Sequence, residues 1–211
     1  MLLGIPVDLA VRMDAADYRT LAGSTLLAAG TVLLVGFVVA ASQYPGYSAT
    51  TQPISALGAN AAPAGSQQIF TGVMVVAGGL MGLAAYGLFR SRAGQLVAAA
   101  AGVTGIVGLV AVGLFPMETG LPHTIGAAIS FAGIGVTALL VAAGSVGPFA
   151  VVSAVMGTLE LLAFVAFALL QGATPLDVGG LERIVAYLGL LWVTAYGGVL
   201  IGSDSTMAGP S

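Results

Sequence analysis

Residues 21–42 read LAGSTLLAAGTVLLVGFVVAAS, a stretch of 22 residues without one charged side chain. A helix of about 20 apolar residues is long enough to cross a hydrocarbon core of about 30 Å. Because lipid offers no partner for backbone hydrogen bonds, a segment that crosses a bilayer alone must be helical. This stretch therefore predicts a membrane-spanning helix.

Five more runs of similar length and composition follow it. The chain is 58% hydrophobic and 6% charged, with a mean hydropathy of +1.07, whereas about a quarter of the residues in a soluble domain are charged. The sequence thus predicts an all-α fold, a polytopic membrane protein built as a six-transmembrane-helix bundle. The six runs are 21–42, 69–89, 96–115, 124–143, 149–170 and 184–201.

The arginines predict the orientation of the bundle. Arg12 and Arg19 precede the first run, and Arg90 and Arg92 lie between the second and third. Because short loops rich in basic residues stay cytoplasmic, we expect both termini on the cytoplasmic side of the plasma (cell) membrane. We expect a cytoplasmic amphipathic segment at 1–19, the transmembrane domain at 20–203 and a cytoplasmic tail at 204–211.

Residue types that are missing or scarce exclude several functions. Without lysine, the chain cannot form the Schiff base that binds retinal. Without cysteine, it has no disulfides, thiolate metal ligands or thiol nucleophile. Acidic residues outnumber basic ones by eight to five, which argues against a nucleic-acid partner and favours a salt-adapted prokaryotic source such as a haloarchaeon. No motif predicts a cofactor, and one histidine with no cysteine predicts no metal site.

Three short motifs lie in the connections that this orientation places outside the cell. They are Ile-Ser-x-Leu-Gly at 54–58, Phe-Pro at 115–116 ahead of His123, and Gly-x-Glu-Arg-Ile at 180–184. In their order and placement they resemble the prokaryotic membrane family known as domain of unknown function 998, over about residues 21–201. The resemblance implies the six-helix fold and candidate positions, but no activity. Members often carry an aspartate after the serine, where this chain has Ala56.

The candidate catalytic residues are His123, Glu118 and Ser55. His123 is the only histidine, and its imidazole can accept a proton near neutral pH under the influence of Glu118. Ser55 can be a nucleophile with His123 as its base and Glu118 or Asp177 as the orienting carboxylate. Alternatively, Ser55 caps a turn in which Gly58 adopts a positive φ.

The candidate ligand-binding residues are predicted to form one polar cluster with them. An arginine in the first turn of a helix opposes the helix dipole, so Arg183 needs a partner. That partner is Glu118, Asp177, a backbone carbonyl or the phosphate of a lipid head group, and in the carbonyl case Arg183 is a structural clamp. The ligand-binding candidates are Ser55, Asn60, Asp177, Glu182 and Arg183.

Glu160 is an intramembrane polar residue in the middle of the fifth run. A carboxylate at that depth is costly unless it is neutral or paired, and it is a functional-site hypothesis by default. It either joins neighbouring helices or takes part in proton relay or substrate contact.

Glycines at helical spacing predict close helix packing, within one chain first and in a homo-oligomer second. The spacings are Gly78-xxx-Gly82, Gly102-xx-Gly105-xx-Gly108 and Gly198-xxx-Gly202. For function, we expect a protein that binds a membrane lipid or a membrane protein partner through its outward-facing cluster. The alternatives are a lipid-modifying hydrolase or transferase at the outer leaflet with His123 as general base, and a small-solute transporter.

Overall fold

The computed structural model describes residues 13–92 and 94–205, and these residues form six long helices and no strand. All six helices are long and apolar enough to cross a membrane. The predicted six-helix membrane bundle is therefore confirmed. The helices are α1 (Ala15–Ser42), α2 (Ala64–Arg90), α3 (Gln95–Leu114), α4 (Leu121–Gly144), α5 (Pro148–Leu170) and α6 (Asp177–Ser205).

The first helix begins with a capping box. Asp14 accepts hydrogen bonds from the N–H groups of Ala16 and Asp17, and the Asp17 carboxylate accepts one from the N–H of Asp14. These bonds satisfy N–H groups that a helix leaves without partners at its start. Of the predicted amphipathic segment and tail, residues 1–12 and 206–211 lie outside the described residues.

The helices pack as a closed ring in chain order. Each helix contacts its neighbours in the chain, and α6 returns to pack against α1. Consecutive helices run antiparallel, so the connections 43–63, 115–120 and 171–176 meet at one end, which we call the long-loop end. The connections from α2 to α3 and from α4 to α5 lie at the opposite, short-loop end, together with the start of α1 and the end of α6.

Glycines permit the close approach of α1 and α6. A methyl group on Gly23 would lie 2.7 Å from the carbonyl oxygen of Gly197, and one on Gly197 would lie 2.6 Å from the carbonyl oxygen of Gly23. The predicted role of Gly198 and Gly202 in packing within the chain is wrong, because a methyl group at either would meet nothing within 4 Å; their role in a homo-oligomer stays a prediction. In α6 it is the neighbouring Gly197 that faces α1.

A similar contact joins α2 and α3 around a π-helical segment at Val103–Leu109. A methyl group on Gly78 would lie 2.7 Å from the carbonyl oxygen of Gly105. The glycines of α3 do not share one face, since Gly105 meets α2 whereas Gly108 meets Ser130 of α4. The wider π turn therefore lets α3 present small residues to both of its neighbours.

Candidate functional site

The connection 43–63 is an ordered cap over the long-loop end. The Tyr47 hydroxyl donates to the Pro53 carbonyl at 2.9 Å, and the Ser66 hydroxyl of α2 donates to the Leu57 carbonyl at 2.9 Å. Residues 54–58 form a short 3₁₀ helix whose residues are all buried. The cap therefore holds the backbone of the Ile-Ser-x-Leu-Gly element in place among the helix ends.

Arg183 ties this cap to the first turn of α6. Its Nη1 donates to the carbonyl oxygens of Ala49, Gln52 and Gly179, with distances of 3.1 Å to Gln52 and 2.9 Å to Gly179. Its Nη2 donates to the Tyr47 hydroxyl at 2.5 Å. A guanidinium carries several donors in a planar fork, which suits it to such a set of acceptors. Of the expected partners, the structure places backbone carbonyls beside Arg183.

The same carbonyls leave no space for a side chain at Gly179. A methyl group there would lie within 2.6 Å of the carbonyl oxygens of Ala49, Thr50 and Gln52. The N–H of Gly180 donates to Thr50 at 3.2 Å. The start of α6 thus fits directly against the backbone of the cap.

Tyr47 connects Arg183 to the interior of the cap. Burial raises the pKa of the Tyr47 phenol, and the hydrogen bond from Arg183 partly opposes this effect. The hydroxyl therefore stays protonated at neutral pH, where it accepts from Arg183 and donates to Pro53.

Glu182 points away from Arg183, into the bundle. Its side chain is only 5% exposed, and one carboxylate oxygen accepts hydrogen bonds from the N–H groups of Ile54 and Ser55, the latter at 3.3 Å. These are the first N–H groups of the 3₁₀ helix, which have no partner within it. Glu182 supplies the cap that the sequence assigned to Ser55. Gly58, moreover, has no positive φ, and a methyl group there would collide with the ring of Phe70.

A cavity of about 50 Å³ lies beneath the cap. Its walls are mostly apolar, and its polar lining residues are Ser55, His123, Ser130 and Glu182. A space of this size with several polar groups can hold one or a few water molecules. The structure thus brings two of the catalytic candidates, Ser55 and His123, to the same cavity as Glu182.

The hydrogen bond of His123 fixes which ring nitrogen carries a proton. Nδ1 lies 2.8 Å from the carbonyl oxygen of Phe115. A carbonyl only accepts, so Nδ1 carries a proton, and in the neutral form of the ring Nε2 carries the lone pair. His123 therefore keeps Nε2 for a proton or a hydrogen-bond donor.

Glu118 and Asn60 form a separate pair at the surface. Both oxygens of Glu118 accept from the Asn60 N–H, at 3.0 and 3.1 Å. This bond holds the pKa of Glu118 below its ordinary value of 4.5, with a smaller contribution from His123. Asp177, at the start of α6, accepts from the N–H of Val178 at 2.7 Å. The predicted cluster is thus divided. Ser55, His123 and Glu182 line the cavity, Arg183 binds the cap, Asn60 and Glu118 pair at the surface, and Asp177 lies apart.

The Glu118 bond makes a testable contribution to acid stability. A carboxyl whose pKa is lowered by folding stabilises the fold above its ordinary pKa, and this contribution is lost as pH falls through the lowered value. We expect wild type to unfold at a higher temperature than Glu118→Gln at neutral pH, and the difference to shrink as pH falls below the ordinary pKa of 4.5 and through the lowered one. For an exposed group it should be less than about 1 kcal/mol. A difference that grows on acidification would contradict this assignment.

Two polar residues of this region were not among the sequence candidates. Ser130 lies two helical turns after His123 on α4, so it shares the face that lines the cavity. The seven-residue spacing from His123 to Ser130 is the pattern in the sequence that could have predicted this shared face. Tyr47 carries no comparable signal, because its contact with Arg183 joins residues 136 positions apart.

Glu160 lies apart from these groups, in the middle of α5. Its side chain is 1% exposed, and neither carboxylate oxygen has a hydrogen-bond partner among the described residues. It faces Gly135 of α4 and Gly189 of α6, and a methyl group on Gly189 would lie 2.9 Å from its Oε1.

Within residues 13–92 and 94–205, no three His, Asp or Glu side chains come together as a metal site would require.

Comparison with known proteins gives a family without a described activity. No curated protein and no solved structure matches the chain. One family model, described as "Protein of unknown function (DUF998)", matches residues 27–199. The matched segment contains the 3₁₀ helix, His123, Glu160, Glu182 and Arg183. Because the match covers most of the six-helix bundle, this multi-pass membrane protein belongs to the DUF998 family.

Proposed function

We propose that this protein binds a membrane lipid with an anionic head group, in a groove between α1 and α6 at the long-loop end. The observation that carries the proposal is the lining of the groove, which is cationic and aromatic at one end and apolar along the rest. The groove has a volume of about 340 Å³, which lies within the range of small-molecule sites.

The two parts of the groove fit the two parts of a lipid. Tyr47, Arg183 and Tyr187 lie beside the cap, where the membrane-spanning helices end. Phe37 and Val38 of α1 extend the groove toward the centre of the membrane. Tyrosines prefer the depth of lipid head groups, and acyl chains pack against apolar side chains.

The charge of Arg183 favours an anionic head group. Backbone carbonyls satisfy N–H donors but carry only partial charges, so they do not neutralise a guanidinium. The adjacent Glu182 attracts Arg183 electrostatically, yet its carboxylate bonds to Ile54 and Ser55 inside the bundle. A lipid phosphate in the groove would complement the charge of Arg183 directly.

We also infer that the long-loop end faces outward and that the lipid comes from the outer leaflet of the cell membrane. Arg19, Arg90 and Arg92 support this orientation, because they lie at the short-loop end and basic residues favour the cytoplasmic side.

Native mass spectrometry of the detergent-purified protein, titrated with phosphatidylglycerol or phosphatidylcholine of the same chain composition, tests the lipid. The informative variants are Val38→Trp, in the groove, and Val39→Trp, which is exposed outside it. We expect wild type and Val39→Trp to prefer phosphatidylglycerol, and Val38→Trp to bind it about tenfold more weakly, a change of about 1.4 kcal/mol.

Two results would overturn the lipid proposal. One is equal binding of both lipids by wild type, and the other is an equal loss in both variants. A protein that keeps a second copy or another membrane protein bound, and no lipid, would instead have a protein partner at this surface.

The hydrolase alternative has one observation in its favour. Ser55, His123 and Glu182 line the same cavity, so a nucleophile, a base and a carboxylate lie at one place. The cavity of about 50 Å³ is far smaller than a site for a whole head group, and for this reason we put binding first. Hydrolysis of a bound lipid by wild type, absent in Ser55→Ala, would reverse that order.

A further inference from the structure

The face of α5 that is buried in the bundle is unusually polar. Only Ser153, Gly157 and Glu160 of this helix are buried, and α5 has the least buried span of the six. The Ser153 hydroxyl accepts from Trp192 Nε1 of α6 at 3.0 Å. A methyl group on Gly157 would lie 2.8 Å from the carbonyl oxygen of Gly135. The third buried residue is a carboxyl without a hydrogen-bond partner among the described residues.

The surroundings of Glu160 favour its neutral form. No charged side chain faces it from α4 or from its own helix: His123 is the titratable residue of α4, more than three turns from Gly135. On α6, the nearest titratable group in sequence to Gly189 is Tyr187, and Glu182, Arg183 and Tyr196 lie about two turns away. An ionised carboxylate without a partner in this apolar setting is far more costly than the acid.

A side chain shared with the cavity lies next to Glu160. Ile134 lines the cavity floor together with Leu190. These two residues adjoin Gly135 and Gly189, the glycines that contact Glu160. A methyl group on Gly189 would lie 3.1 Å from Ile134 Cγ2 and 2.9 Å from Glu160 Oε1. The Ile134 side chain thus lies close to Glu160 and also lines the cavity.

We propose that Glu160 is a proton-binding site in the middle of the membrane, and that its proton is exchanged through the cavity lined by Ser55, His123 and Glu182. Water in the cavity carries the proton as far as the Ile134 side chain. A rotation of that side chain then opens the remaining path to Glu160. The site binds only a proton, and the proposal is independent of the lipid groove.

The protonated state is tested with dicyclohexylcarbodiimide on the protein in liposomes. The carboxyl O–H adds across one C=N bond of the reagent, and the O-acylisourea rearranges to an N-acylurea, so that the peptide gains the whole reagent mass. We expect mass spectrometry to find this adduct on Glu160 of wild type at neutral pH, and the water-soluble carbodiimide to give much less. Absence of the adduct, together with an ionised carboxylate in the infrared spectrum that Glu160→Gln removes, would overturn the site.

The route is tested by exchange of the acid proton for deuterium, followed through the infrared C=O stretch of the carboxyl. We expect Ile134→Ala to speed this exchange severalfold relative to wild type. The matched control is Ile125→Ala, which shortens an isoleucine of the same helix at a lipid-exposed position away from the cavity. Equal rates in the two variants would overturn the route. The adduct is assigned by sequencing the labelled wild-type peptide, so the site can be tested even if Glu160→Gln does not fold.

Discussion

Glu182→Ala is expected to destabilise the protein by roughly 2–6 kcal/mol, because it leaves two buried N–H donors without an acceptor, each at a cost of about 1–3 kcal/mol. Those donors, on Ile54 and Ser55, begin the 3₁₀ helix of the cap. Thermal unfolding of the detergent-purified protein measures the loss. We expect the cap to loosen first, which deuterium exchange of residues 54–58 would detect.

Glu182→Gln is the matched variant, since its amide oxygen can still accept from the same donors. We expect it to lose less than half as much stability as Glu182→Ala. If the two variants are equally unstable, the charge of Glu182 matters more than its hydrogen bonds. If both match wild type, Glu182 does not cap the 3₁₀ helix.

Two adjacent glycines of α6 should respond in opposite directions to the same substitution. A methyl group on Gly197 would lie 2.6 Å from the Gly23 carbonyl oxygen and 2.6 Å from the Leu27 N–H nitrogen. These are backbone atoms, so α1 and α6 must separate to admit it. We expect Gly197→Ala to cost about 3 kcal/mol, toward the upper end for an overfilled contact.

Gly198→Ala is the control at the next position. A methyl group there meets nothing within 4 Å, and alanine restricts the unfolded chain, so we expect a gain of about 0.4–1 kcal/mol. Thermal unfolding of both variants in the same detergent provides the comparison. Loss of stability in Gly198→Ala with little change in Gly197→Ala would mean that α6 turns Gly198, and not Gly197, toward α1.

The fold could be predicted from sequence because a bilayer allows so few backbone conformations. An uncharged run such as 21–42 must be helical in a bilayer, and its length gives one crossing. The rotation of each helix about its axis is not fixed in this way. Gly197 and Gly198 are both glycine, and only the packing of α6 against α1 determines which one faces its neighbour.

The candidate cluster was predicted only in part, for a related reason. Glu182 and Arg183 are consecutive, so on a helix their side chains diverge by about 100°. One enters the bundle and the other reaches the cap and groove. The pair of Asn60 with Glu118 and the bonds of Glu182 to the 3₁₀ helix join distant parts of the chain, which no local pattern reveals. The haloarchaeal source stays a prediction.

The closed ring of helices has a consequence for biosynthesis. The contact between α1 and α6 joins two helices that are made at different times, α1 well before α6, and the Gly23–Gly197 crossing and the groove both belong to it. Until ribosomes have released α6 into the bilayer, one side of α1 faces lipid or the insertion machinery. The groove therefore comes into existence only when α6 has inserted, so that a nascent chain arrested before α6 would lack the site that we propose for a lipid.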